Sequence, residues 1–115
     1  MIRKAAEMRM ETRDKMRGGE GNITFLHYFE KNDFTARVRL CAKLTIPPQG
    51  SIGPHTHENE DEIFIIHQGS GIVEDGTAAN PVCAGDAVLT GSGASHSIRN
   101  TGNEPLELTA VIVCY

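Results

Sequence analysis

From Phe34 to Ile46 the chain alternates without a break. Phe34, Ala36, Val38, Leu40, Ala42, Leu44 and Ile46 are apolar, while Thr35, Arg37, Arg39, Cys41, Lys43 and Thr45 between them are mostly polar. A strand sends successive side chains to opposite faces, whereas a helix would scatter these residues around its axis. The run therefore predicts a long half-buried strand, with room for a bend at a bulge midway. Pro47-Pro48 stops it, because proline cannot donate to a ladder. Shorter pieces repeat the theme. Asn22 to Phe29 alternates, with Ile23, Phe25, His27 and Phe29 on one face, and Lys31-Asn32-Asp33 is turn chemistry. An apolar strand from Glu62 to Ile66 closes at Gly69. Asp75-Gly76 predicts a type I′ hairpin whose second arm breaks at Pro81. Ala87–Thr90, His96–Asn100 and Leu106–Tyr115 follow, the last apolar on both faces near its end and so covered on both sides. Short strands with a turn every eight to twelve residues or so make an all-β sandwich or barrel.

The 115 residues suit one domain with one core. A net charge of -4 argues against a nucleic-acid partner. Before Gly18 the chain is basic, with Arg3, Lys4, Arg9, Arg13, Lys15 and Arg17 against Glu7, Glu11 and Asp14; these cations read as a solvated surface. No apolar run approaches the roughly 20 residues of a membrane span, and no signal-peptide core follows Met1. A cytoplasmic protein without a membrane partner is expected. Cys41, Cys83 and Cys114 are odd in number and lack a CxxC, which reads as three free, buried thiols. Gly18-Gly19-Glu20-Gly21 is a turn rather than a phosphate loop, since no lysine or helix signature follows it.

The chemistry concentrates between Gln49 and Gly69. His55 and His57 are two residues apart, so on a strand they share a face. A turn through Glu58 to Asp61 brings Glu62 back beside them. His96 opens a later strand, directly after the Gly91–Gly93 loop, and a barrel can bring it to the same point. Three imidazoles and a carboxylate suit one divalent transition metal: Mn, Fe, Co, Ni, Cu or Zn. Glu60 is the runner-up carboxylate and Asp61 the choice at a shorter spacing, while Glu58 and Asp61 read as a solvated rim. His67 falls on the opposite face, at a sheet or subunit contact, and His27 reads as a satisfied structural histidine.

These residues resemble the two motifs of the cupin superfamily, in particular its small single-domain bacterial members and the oxalate decarboxylase-like group. His55-Thr56-His57, four residues, Glu62, six residues and Gly69 match the first motif; Gly85, Gly93, His96 and Asn100 match the second. Gln49 stands where the first motif begins with glycine, and Gly91 replaces a proline of the second. The resemblance covers residues 34 to 115. It implies an all-β, double-stranded β-helix or jelly-roll barrel over 34–115, with residues 1–33 as an N-terminal arm and first strands packing on it. It also implies that His55, His57, Glu62 and His96 hold the metal at one end of the cavity.

The function expected from this is a metal-dependent enzyme acting on a small organic acid or sugar-derived carbonyl compound, by decarboxylase, dioxygenase, isomerase or lyase chemistry. A small carboxylic acid is one expected ligand. Arg37, Arg39, Tyr28 and His27 are unranked candidates for a second group that moves a proton or fixes a carboxylate. The alternatives are a non-catalytic, metal-containing binding protein and a purely structural metal. Apolar faces on the first and last long strands predict a homodimer.

Overall fold

The computed structural model describes residues 1–115 as two antiparallel sheets packed face to face. The strands are β1 (Arg9–Asp14), β2 (Asn22–His27), β3 (Val38–Ile46), β4 (Ser51–Thr56), β5 (Glu60–Gln68), β6 (Ser70–Glu74), β7 (Ala79–Cys83), β8 (Ala87–Thr90), β9 (Ser95–Asn100) and β10 (Leu106–Cys114). One sheet runs β1-β2-β3-β10-β5-β8 and the other β4-β9-β6-β7. The double-stranded β-helix expected from the sequence is this jelly-roll arrangement. β1 and β2 continue the larger sheet past β3, so the basic N-terminal residues become part of its inner wall.

Inner-facing residues change character along each strand. On β10 Leu106, Leu108 and Ala110 are fully buried, on β5 Phe64 and Ile66, on β9 Ile98; with Ile23, Phe25, Ala42, Leu44, Ile46, Ile52 and Val73 they form one core. Toward the other end the same faces turn polar, at Glu62 on β5 and His96 on β9, still buried. Asn100 closes the core end. Its Nδ2 donates to the carbonyls of Ile46 (3.0 Å) and Glu104 (2.8 Å), and its Oδ1 accepts from Gly102 N (2.8 Å).

Several local expectations need correction. The long alternating strand begins at Val38, not Phe34. Lys31–Asp33 forms a 3-10 turn, Asp33 Oδ2 accepts from Glu30 N at 2.8 Å and from Arg3 at 2.6 Å, and this pins the chain outside the sheet. The expected bulge exists, at Arg39: Val38 pairs with Val113 and Leu40 with Ile112, so β3 uses one residue more than β10. The β6–β7 hairpin has a four-residue loop in place of the two-residue turn. Asp75 Oδ1 accepts from Thr77 N, Thr77 Oγ1 and Ala78 N, which draws Thr77 and Ala78 into the turn. Pro81 does not break β7; it pairs with Ile72 in an edge strand, where a missing N–H costs nothing. Cys83 is exposed on that edge, and Cys41 and Cys114 are only half-buried; all three are free.

Candidate metal centre

β4 and the residue just after it deliver two of the four candidate ligands, and do so through a bulge. Ile52 pairs with Ile98 and His55 with His96, so β4 spends one residue more than β9 between those pairs. Strict alternation from the buried Ile52 would have turned His55 and His57 outward. The extra residue in Gly53-Pro54 shifts the phase and turns both imidazoles inward. Gly53 permits this because a Cβ there would overlap the Arg17 carbonyl oxygen; the 3-10 turn Met16–Gly18 lies directly on the bulge. His57 follows β4, and its backbone is tied to the Gly91–Ala94 loop by two hydrogen bonds of 3.0 Å. Glu62 comes from β5 and His96 from β9.

Each imidazole is oriented by its Nδ1. His55 Nδ1 donates to the Gly53 carbonyl at 2.8 Å, His57 Nδ1 donates to Glu60 Oε1 at 2.7 Å, and His96 Nδ1 pairs with Thr90 Oγ1 at 2.8 Å. The Phe64 ring stacks on His96 with centroids 4.9 Å apart. All three Nε2 atoms therefore face one point. Nε2 of His96 lies 3.0 Å from Nε2 of both His57 and His55. Glu62 Oε1 is 2.9 Å from Nε2 of His57 and of His96 and 3.8 Å from that of His55. Yet this buried oxygen receives no hydrogen bond.

That combination tests the fit of a metal. With the Nδ1 protons of His55 and His57 engaged elsewhere, their Nε2 lone pairs meet a carboxylate oxygen in a dry site. Burial by itself raises the Glu62 carboxyl, so its ionised form needs positive charge beside it. Four inward-facing donor atoms within 4.8 Å of one another fit a cation, and three nitrogens with one oxygen fit a transition metal.

Glu60, expected only as the second-choice carboxylate, has a different place. It is buried behind His57 and receives a two-pronged hydrogen bond from Arg39, Nε to Oε2 at 2.8 Å and an Nη to Oε1 at 2.6 Å. Arg39, with burial opposing and His57 adding, brings the Glu60 carboxyl down to about 2. The β3 bulge at Arg39 is thus the far end of a chain that runs through Glu60 to His57. Asp61 is half-buried and accepts from Tyr115 Oη at 3.3 Å. Glu58 is exposed as expected. His67 is exposed on the outer face, 2.6 Å from Thr109 Oγ1 across the β5–β10 contact.

The cluster opens into a cavity of about 210 Å³. Of the four candidates for a second group, His27 and Arg39 line it with His55, His57 and Glu62, whereas Tyr28 and Arg37 do not. His27 is buried, with Nε2 2.7 Å from Glu11 Oε1 and its ring stacked on Phe25. Five cationic side chains (Arg9, Arg13, Arg17, Lys31, Arg39) and the carboxylates Glu11, Glu30 and Glu62 share the wall. The N-terminal cations are therefore in part a cavity lining, not only a solvated surface. The signal was present in the sequence: Arg9, Glu11 and Arg13 recur at every second residue, on one face of β1.

Residues 42–112 match the Cupin domain family. The chain is 42% identical over 113 residues to the oxalate-binding protein of Thermotoga maritima, covering 98% of this chain and 93% of that protein. A crystal structure of a predicted oxalate decarboxylase from Thermotoga maritima superimposes with a TM-score of 0.94 at 41% identity, covering both chains fully. The polyketide cyclase RemF from Streptomyces resistomycificus shares the fold, with a TM-score of 0.78 at 17% identity over 99% of this chain and 80% of that one. Motif spacing, sheet order, inward-facing donor cluster and these likenesses agree: the chain belongs to the cupin family.

Proposed function

We propose that His55, His57, Glu62 and His96 hold one divalent transition metal, and that the protein is a metal-dependent enzyme acting on a small organic acid. The observation that carries the first half is the buried Glu62 Oε1, 2.9 Å from two imidazole nitrogens and without a hydrogen bond. When bound, such an ion supplies Lewis acidity toward ligand oxygens. The chain's own residues do the rest. The cationic excess on the cavity wall draws in an anion. Glu60 and the Gly53 carbonyl hold two imidazoles in the ligating tautomer. His27 brings an ionisable group, braced by Glu11, into the same cavity. Oxalate is the natural first probe, since the Thermotoga maritima relative is named for binding it. That name also favours a second reading, a binder without turnover.

His96→Ala and Glu62→Gln are expected to purify with little metal and to lose the rise in melting temperature that added metal gives the parent. Full metal content in both variants would defeat the assignment. Incubating the metal-loaded protein with oxalate and measuring formate and carbon dioxide separates the readings: product accumulation supports the enzyme, bound but unchanged oxalate the binder.

A second copy of the chain is the partner we propose for the outer face of the larger sheet. Leu89, Ile63, Val111 and Cys41 form one cross-strand row over β8, β5, β10 and β3. Leu89 is 71% exposed, and Ile65 beside it 41%. A continuous apolar row across four strands is what a self-complementary interface buries.

A further inference from the structure

The cavity is not uniformly polar, and its walls constrain what fills it. One pole is carried by His55, His57 and Glu62 of the ligand cluster. The other is carried by β1 and β2, where Arg9, Glu11, Arg13 and His27 meet. Strand order places β3 and β10 between β2 and β5. The cavity-lining residues from the intervening strands are apolar: Leu40 and Leu44 from β3 and Ile112 from β10. Phe25, Ile52 and Phe64 complete an apolar belt between the poles.

The far pole is built. The His27 side chain is 7% exposed. Its Nε2 is engaged by Glu11, which is held in turn by Arg13 at 3.0 Å. Arg13 itself lies over the Phe25 ring, 4.4 Å from its centroid. No protein group bonds the other ring nitrogen, Nδ1, and His27 lines the cavity. A two-carbon diacid has no apolar surface, so it would satisfy the metal pole and leave the space between the poles unfilled. Apolar walls favour a ligand that covers them, and a few polar groups at the ends fix its orientation.

Resting on the metal-and-acid reading above, we infer that the cavity is shaped for a 2-oxo or 2-hydroxy acid with an apolar chain, chelating at the metal pole through its carboxylate and neighbouring oxygen and presenting a hydrogen-bonding group to His27 at the far pole. The chain lies along Leu40, Leu44 and Ile112.

The test is calorimetric binding to the Mn(II)-loaded protein and to metal-free protein, under nitrogen, with oxalate, pyruvate, 2-oxohexanoate and 6-hydroxy-2-oxohexanoate, whose terminal hydroxyl can donate to His27 Nδ1. Affinity is expected to rise about fourfold per methylene from pyruvate to 2-oxohexanoate, the value of burying each one. His27→Gln is expected to weaken 6-hydroxy-2-oxohexanoate about fivefold, the loss of one neutral hydrogen bond, and 2-oxohexanoate much less. Equal affinity for pyruvate and 2-oxohexanoate would overturn the inference, because the chain would then remain in water. An equal loss of both six-carbon acids in His27→Gln would overturn the far pole. If no acid, oxalate included, binds the Mn(II) form better than the metal-free form, it is the metal-and-acid reading that fails.

Discussion

Two departures from the cupin motifs have residue-scale explanations. Gln49 stands where the motif has glycine, and it adopts φ 66, so the left-handed backbone is kept without the residue that takes it freely. A side chain there costs about 1–2 kcal/mol, of which glycine's greater unfolded-state freedom returns part. Gln49→Gly is expected to stabilise the protein by about 0.5–1 kcal/mol in urea unfolding; a lower midpoint would contradict it. Gly91 replaces proline because a Cβ would overlap Asp61 Oδ1, which Tyr115 holds from the other side. Glu60 links residue chemistry to pH. Its carboxyl is lowered from 4.5 to about 2 by Arg39 first, so the folded state prefers it ionised. That stability is complete above about pH 4.5, lost as pH falls through about 2, and of order 2 kcal/mol given partial exposure of Arg39. Metal-free Glu60→Gln is expected to lose less stability than the parent between pH 5 and 2; parallel thermal-unfolding curves would refute the ion pair's role.

At the scale of elements, the β4 bulge decides whether there is a site at all. Gly53→Ala would drive a methyl into the Arg17 carbonyl and push the Met16–Gly18 turn off the bulge. The expected outcome is about 2–3 kcal/mol of lost stability and at least tenfold weaker metal binding, read by chelator competition. Unchanged metal affinity would show that the bulge holds its phase without that contact. This element also marks where sequence reasoning stops. His55 and His57 share a face by spacing alone, and Glu62 and His96 follow from strand pattern and motif. The face they share depends on one inserted residue, and alternation carries no record of an insertion; Gly53-Pro54 inside a strand was its only trace. Glu60 was legible as an acid but not as the brace of His57, because its partner Arg39 is 21 residues away and aimed by a second bulge. Phe34 to Ala36 alternate as well as any strand, yet they follow the Asp33 turn outside the ladder, a tertiary effect that period alone does not report.

For the whole molecule, the proposed second copy makes a direct prediction. The parent is expected to sediment as a dimer and Leu89→Lys as a monomer, with little change in monomer fold because Leu89 is 71% exposed. A monomeric parent at micromolar concentration would remove the proposal. A further consequence follows from the hydrogen bonds that fix each ring through its Nδ1. Rings braced in this way give up little freedom on closing around an ion, so the cost of ordering them is met when the chain folds. Cutting one brace should loosen the grip while every donor atom stays in place: Thr90→Val is expected to weaken metal affinity about tenfold in chelator competition, and unchanged affinity would contradict it.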